Sequence, residues 1–129
     1  MRRLIIAFVV LLATWGASQA QTLPVPSTWL NQRGSILTIT TIDTAGNLKG
    51  TFVNNAAGFS CKGTPYDVAG AVKGADLFFY VTFGPCNTIT VWRGRMKGAE
   101  ISTQWELKYV DSAKGQFADL KGSDDFKKQ

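Results

Sequence analysis

Asn31 and Ser35 follow Trp29 at even spacing within the run Thr28-Trp29-Leu30-Asn31-Gln32-Arg33-Gly34-Ser35. An extended chain repeats every two residues, so an indole, an amide and a hydroxyl can face the same way. Hydrogen-bonding groups turned into an apolar interior are costly unless they are partnered, and a buried polar ligand would partner them. The arrangement recurs. In Thr88-Ile89-Thr90-Val91-Trp92 both threonines share a face with Trp92, and in Phe52-Val53-Asn54 the amide shares one with Phe52. Trp105 shares a face with Leu107, while Gln104, Glu106 and Lys108 take the other. Faces that mix aromatic rings with short hydrogen-bonding groups suit a small-molecule pocket. Satisfied core hydroxyls would explain Thr88 and Thr90 alone; the whole constellation points to a ligand.

Covalent and acid–base chemistry fit less well. The chain contains no histidine, and general acid–base or nucleophilic catalysis needs a base placed beside a nucleophile. Asp124 and Asp125 are neighbours, so on a strand they point to opposite faces and do not form a facing carboxylate pair. An enzyme is therefore not expected. Cys61 and Cys86 are the only cysteines. In an exported chain a disulfide is favoured over two free thiols, and without histidine a zinc site would be short of ligands. In the chain-entropy model a loop of that length stabilises by roughly 3–4 kcal/mol. Neither a cofactor nor a metal is expected.

Export is read from the N-terminus. Arg2 and Arg3 precede the apolar run Leu4–Leu12, and Ser18-Gln19-Ala20 supplies small residues at the positions a signal peptidase reads. The run is too short to span a bilayer, so residues 1–20 are expected to be removed and the protein to be secreted or periplasmic. The mature chain would be free of the membrane. Losing Arg2 and Arg3 lowers the formal net charge from +5 to +3, which does not suggest a nucleic-acid partner. The alternating Arg93, Arg95 and Lys97 read as a solvated strand face.

What remains is one domain. Residues 21–27, with Pro24 and Pro26, read as a flexible leader, and residues 28–129 as the folded unit. Strands are expected over 29–32, 35–42, 48–54, 65–73, 75–83, 87–96, 99–109 and 119–127, with turns at Asp43–Asn47, Lys73-Gly74, Gly84–Cys86, Lys97-Gly98 and Asp111–Gly115. No window shows helical periodicity. Eight strands joined in sequence favour an all-β fold, an eight-stranded antiparallel up-and-down β-barrel whose closure leaves no exposed edge. Such a barrel has room for packed side chains or one small ligand. An eight-stranded sandwich fits the same pattern. The faces opposite the pocket are apolar in two neighbouring strands, at Phe78 and Tyr80 and at Ile89 and Val91, as in a buried subunit interface.

Taken together, Thr28–Ser35, Gly50-Thr51-Phe52, Thr88–Trp92, Ser102-Thr103-Gln104-Trp105-Glu106-Leu107 and Gly122-Ser123-Asp124-Asp125-Phe126 resemble the avidin/streptavidin family of biotin-binding proteins. The resemblance covers nearly all of the mature chain. It implies that biotin binds non-covalently and with high affinity inside the barrel. Asn31 and Ser35 would donate to the ureido oxygen, much as an oxyanion hole does. Asp124 would accept from one ureido N–H, with Asn54 near the other. Thr90 would approach the thioether sulfur, Trp92 and Trp105 would pack on the bicyclic ring, Thr88 would meet the carboxylate, and Leu107 would be a further ligand-binding residue. The loop at Ala56–Gly58 would close over the tail, with Gly58 among its backbone donors.

Three positions depart from the family pattern. Phe52 replaces a tyrosine that also bonds the ureido oxygen, and Phe83 replaces a tryptophan of the pocket wall. No tryptophan lies between Val110 and Gly122, only Phe117, where family tetramers lend one to a neighbour. With the Cys61/Cys86 pair, that absence resembles the dimeric short avidins, in which a disulfide ties the loop over the pocket to its neighbour. A homodimer is implied. Two other readings stay open: a small exported barrel that inhibits proteases through residues 21–27, and an avidin-like barrel that takes a ligand other than biotin.

Overall fold

In the computed structural model, which describes residues 22–129, eight strands follow one another round a closed antiparallel barrel in chain order. They are β1 (Ser27–Asn31), β2 (Ile36–Ile42), β3 (Asn47–Val53), β4 (Pro65–Lys73), β5 (Asp76–Phe83), β6 (Thr88–Lys97), β7 (Glu100–Asp111) and β8 (Gln116–Lys128). A single 3-10 turn, Gly84–Cys86, separates β5 from β6. The pairing of β1 with β8, from Trp29 opposite Lys128 to Asn31 opposite Phe126, closes the barrel and removes the sandwich alternative. The signal segment read at residues 1–20 lies outside the described residues.

Alternation puts the core inside. In β5 the side chains of Leu77, Phe79, Val81 and Phe83 are buried and those of Asp76, Phe78, Tyr80 and Thr82 exposed, the two-residue period of a strand with one face on a core. In β2 the period breaks after Ile39. The register with β3 shifts between Ile39 and Thr41, and the bulged Thr40 turns outward, where its hydroxyl donates to the Lys49 carbonyl.

Two strand starts differ from expectation by more than one residue. β1 opens at Ser27, two residues before Trp29, because Ser27 is buried, pairs with Ile39 and accepts the Trp29 indole N–H at 2.8 Å. The preceding segment, read as a flexible leader, is held at Leu23, which is buried in the core. β8 opens at Gln116 rather than Asp119, because its ladder with β7 runs unbroken to Asp111 opposite Gln116.

The two ends of the barrel are built differently. The β2–β3, β4–β5 and β6–β7 turns are tight and close one end. The β1–β2 turn, the long 54–64 loop, the 3-10 turn and the β7–β8 turn surround the other. There a Cys61–Cys86 disulfide ties the 54–64 loop to the 3-10 turn.

Candidate functional site

The site begins at the β1–β2 turn. Residues 32–35 connect β1 to β2, and there the Gly34 N–H donates to the Asn31 carbonyl at 3.1 Å and Gly34 takes φ +80°. Glycine suits that left-handed position, and the geometry brings Asn31 and Ser35 to one side. Asn31 Oδ1 accepts the backbone N–H groups of Arg33 and Ser35, at 3.0 and 2.9 Å. With that oxygen taken up by its own turn, Asn31 has its Nδ2 donor left to offer. Ser35 Oγ accepts the Asn55 N–H at 2.9 Å, which leaves its hydroxyl proton free to be donated. Both side chains are buried.

Asp124 supplies the acceptor. It lies on the inner face of β8, while Asp125 is exposed, as the two-residue period requires. Its Oδ1 accepts Gln32 Nε2 at 3.1 Å and Arg33 Nε at 3.0 Å, and its Oδ2 accepts the Trp92 indole N–H at 2.9 Å. A carboxylate offers about four lone-pair positions, so one is left on Oδ2. Across the cavity Asn54 Oδ1 caps the Ala56 N–H at 2.9 Å and turns the chain into the loop.

Aromatic rings make the walls. Trp92 stacks on Phe79 with ring centroids 4.9 Å apart and an interplanar angle of 14°, and Phe52 lies 4.7 Å from Trp92. Trp105 lies opposite Gly122 in the β7–β8 ladder. A Cβ at position 122 would run into the indole ring, so this glycine is what lets Trp105 lie flat on β8. The Arg33 guanidinium covers the Trp105 ring at 5.7 Å, a cation–π contact.

These groups enclose a cavity of about 250 Å³ at the looped end of the barrel. Of the residues picked from sequence, Asn31, Ser35, Phe52, Asn54, Gly58, Thr90, Trp92, Trp105, Leu107 and Asp124 line it. Phe83 and Thr88 do not. Phe83 is fully buried behind the wall, edge-on to Phe59 at 5.0 Å and to Phe52 at 6.4 Å, so other rings screen it from the cavity. Thr88 pairs with Phe83 across β5–β6, and its buried hydroxyl has no hydrogen-bond partner among the described residues. Three further lining residues, Arg33, Phe59 and Leu120, were not assigned from sequence. Leu120 shares its face with Gly122 and Asp124 and was within reach of a parity argument. Arg33 and Phe59 sit in a turn and a loop, where no periodicity operates. Among the described residues no cluster of potential metal ligands occurs.

Over residues 19–129 the chain matches the sequence model of the Avidin family. The chain belongs to the avidin family. It is 40% identical to afifavidin from Afifella pfennigii in an alignment covering 79% of this chain and 67% of that one. Its fold is similar to that of bradavidin2 in a biotin complex, with 48% identity, a TM-score of 0.78, and coverage of 83% of this chain and 99% of that one. The rhizavidin–biotin complex is likewise similar, with 34% identity, a TM-score of 0.76, and coverage of 82% and 92%.

Proposed function

We propose that this chain binds biotin inside the barrel and catalyses no reaction. One observation carries the reading: donors left over at Asn31 and Ser35 and an acceptor left over at Asp124 converge on a cavity walled by Phe52, Trp92 and Trp105. A ureido group presents the complement, a carbonyl oxygen flanked by N–H groups. Asn31 Nδ2 and Ser35 Oγ–H donate to the oxygen, Asp124 Oδ2 accepts one N–H, and Asn54 lies toward the other. Trp92, Trp105, Phe52 and Leu107 pack on the ring system and Thr90 faces its sulfur. The Ala56–Gly58 stretch receives the carboxylate tail, and Phe83 backs the wall. The Cys61–Cys86 disulfide restrains the loop that meets the tail, which lowers the cost of ordering it and supports tight binding.

The same reading includes export to the periplasm or medium after loss of residues 1–20, and a homodimer. Phe78, Tyr80 and Ile89 are between 42% and 44% exposed on the adjacent strands β5 and β6, with Tyr80 directly opposite Val91. A second copy covering that face would bury an apolar patch that is unusual on a monomer's surface.

Calorimetric titration of the oxidised protein with biotin, then with desthiobiotin, tests the function. The expected result is saturation at one ligand per barrel, with desthiobiotin weaker because it lacks the sulfur facing Thr90. No heat and no rise in melting temperature would mean that the pocket serves another ligand.

A further inference from the structure

Backbone pairing between β1 and β8 ends early. Its register holds only from Phe126 to Lys128, whereas the other edge of β8 pairs with β7 from Gln116 to Lys127. Past Asn31 the seam is closed by side chains. Gln32 Nε2 donates to the Ser123 carbonyl and Gln32 Oε1 accepts the Asp125 N–H, both at 2.9 Å. The amide thus continues the ladder as a backbone group would. Arg33 comes next. From the tip of the turn its side chain folds back to reach Asp124 on β8 and Trp105 on β7, and it lines the cavity. Asp124 is buried, while the arginine remains 44% exposed.

We propose that Arg33 is a positioning residue for the ureido end of the ligand, holding Asp124 and Trp105 in one geometry and walling the cavity where the β1–β8 ladder has stopped. The inference rests on the biotin reading. Arg33 occupies one side of Oδ1 beside Gln32, so the remaining acceptor position on Oδ2 has a single direction. The guanidinium also presses on the ring that covers the ligand. Without Arg33 the carboxylate keeps only its bonds from Gln32 and Trp92, Trp105 loses its outer cover, and the seam opens to water. The binding groups are the same; what is lost is their fixed arrangement.

The test is a cycle of Arg33→Ala and Asp124→Asn, read as biotin association and dissociation rates, with Arg33→Gln beside it to keep the side-chain stem without the charge. A charge-assisted hydrogen bond discounted for partial exposure predicts dissociation about tenfold faster in Arg33→Ala at a nearly unchanged association rate. Arg33→Gln should move the same way. In the Asp124→Asn background the effect should shrink below about twofold, since groups acting as a unit are not additive. Equal effects in both backgrounds, or no effect in either, would overturn the proposal.

A ligand-free readout separates this idea from the biotin reading. In Arg33→Ala the indole N–H resonances of Trp92, bonded to Asp124, and of Trp105 should shift. That of Trp29, bonded to Ser27, should stay. Should the wild-type protein fail to bind biotin, the functional reading falls and these resonances alone decide the positioning role. Unmoved Trp92 and Trp105 signals would refute it.

Discussion

The closed and looped ends of this barrel use polar groups in opposite ways. At the closed end they serve the nearest backbone. Asp43 accepts the Ala45 and Asn47 N–H groups and the Asn47 side-chain amide, all within one turn, and the interior there is apolar, with Leu48, Leu77, Met96 and Ile101 buried. At the looped end polar groups reach across the chain. Gln32 and Arg33 bond Ser123 and Asp124, some 91 residues away, and Asn31, Ser35, Thr90 and Asp124 are buried facing the interior. One end is therefore a folding device and the other a recognition device, and substitutions at the two ends should separate stability from binding.

The largest effect belongs to the closed end. Ile101 is fully buried between Met96 and Phe126 in the β6–β7–β8 ladders. Ile101→Ala leaves a cavity and should cost about 2–4 kcal/mol of stability. In a domain of this size that lowers Tm by roughly 10–20 °C. Thermal unfolding should show the drop while titration still gives a single biotin per barrel. Loss of the site along with the stability would break the division between the ends.

Gly122→Ala reverses the pattern. The new Cβ collides with the Trp105 indole, so the ring must tilt off β8. Overpacking of this kind costs about 1–3 kcal/mol, and it should appear mainly as weaker biotin binding by calorimetry, with a smaller change in Tm. Phe52→Tyr tests the opposite direction. Phe52 is buried beside Trp92, and a phenolic O–H aimed at the ureido oxygen adds one hydrogen bond, worth about 1 kcal/mol or about fivefold in affinity. A Kd that does not tighten would place the ureido oxygen elsewhere.

The same contrast explains what could be read from the sequence. Strand parity and tight turns are local properties. They revealed β4 to the residue and placed Asn31, Ser35, Thr90, Trp92 and Trp105 on inward faces, whereas the role of Asp124 came from the family resemblance. The looped end is where locality fails. Phe83 has the right parity, yet Phe59 folds back from the 54–64 loop and screens it. Arg33 has no parity at all, and its role depends on where β1 stops pairing with β8, a property of the whole barrel. The early start of β1 has a similar origin, in the burial of Leu23 and Ser27 and the pairing of Ser27 with Ile39.

The smallest effect is a pH dependence confined to the closed end. The Asp43 carboxyl is held below its ordinary value of 3.8, first by the Asn47 side-chain amide, then by the Asn47 backbone N–H, with smaller help from Ala45 and Gly46. A carboxyl whose folded value lies below its unfolded one stabilises the fold above the unfolded value, and that contribution disappears as pH falls through the folded value. Asp43→Asn removes the titration, so the wild type should melt slightly higher than the variant at neutral pH. The gap should begin to close near pH 3.8 and vanish below it. Because the turn is exposed and far from the cavity, paired titrations at neutral pH should show no change in biotin affinity. A shift in affinity would mean that the two ends communicate through β2 and β3, the strands this turn joins, with Ser35 just before β2 and Phe52 on β3.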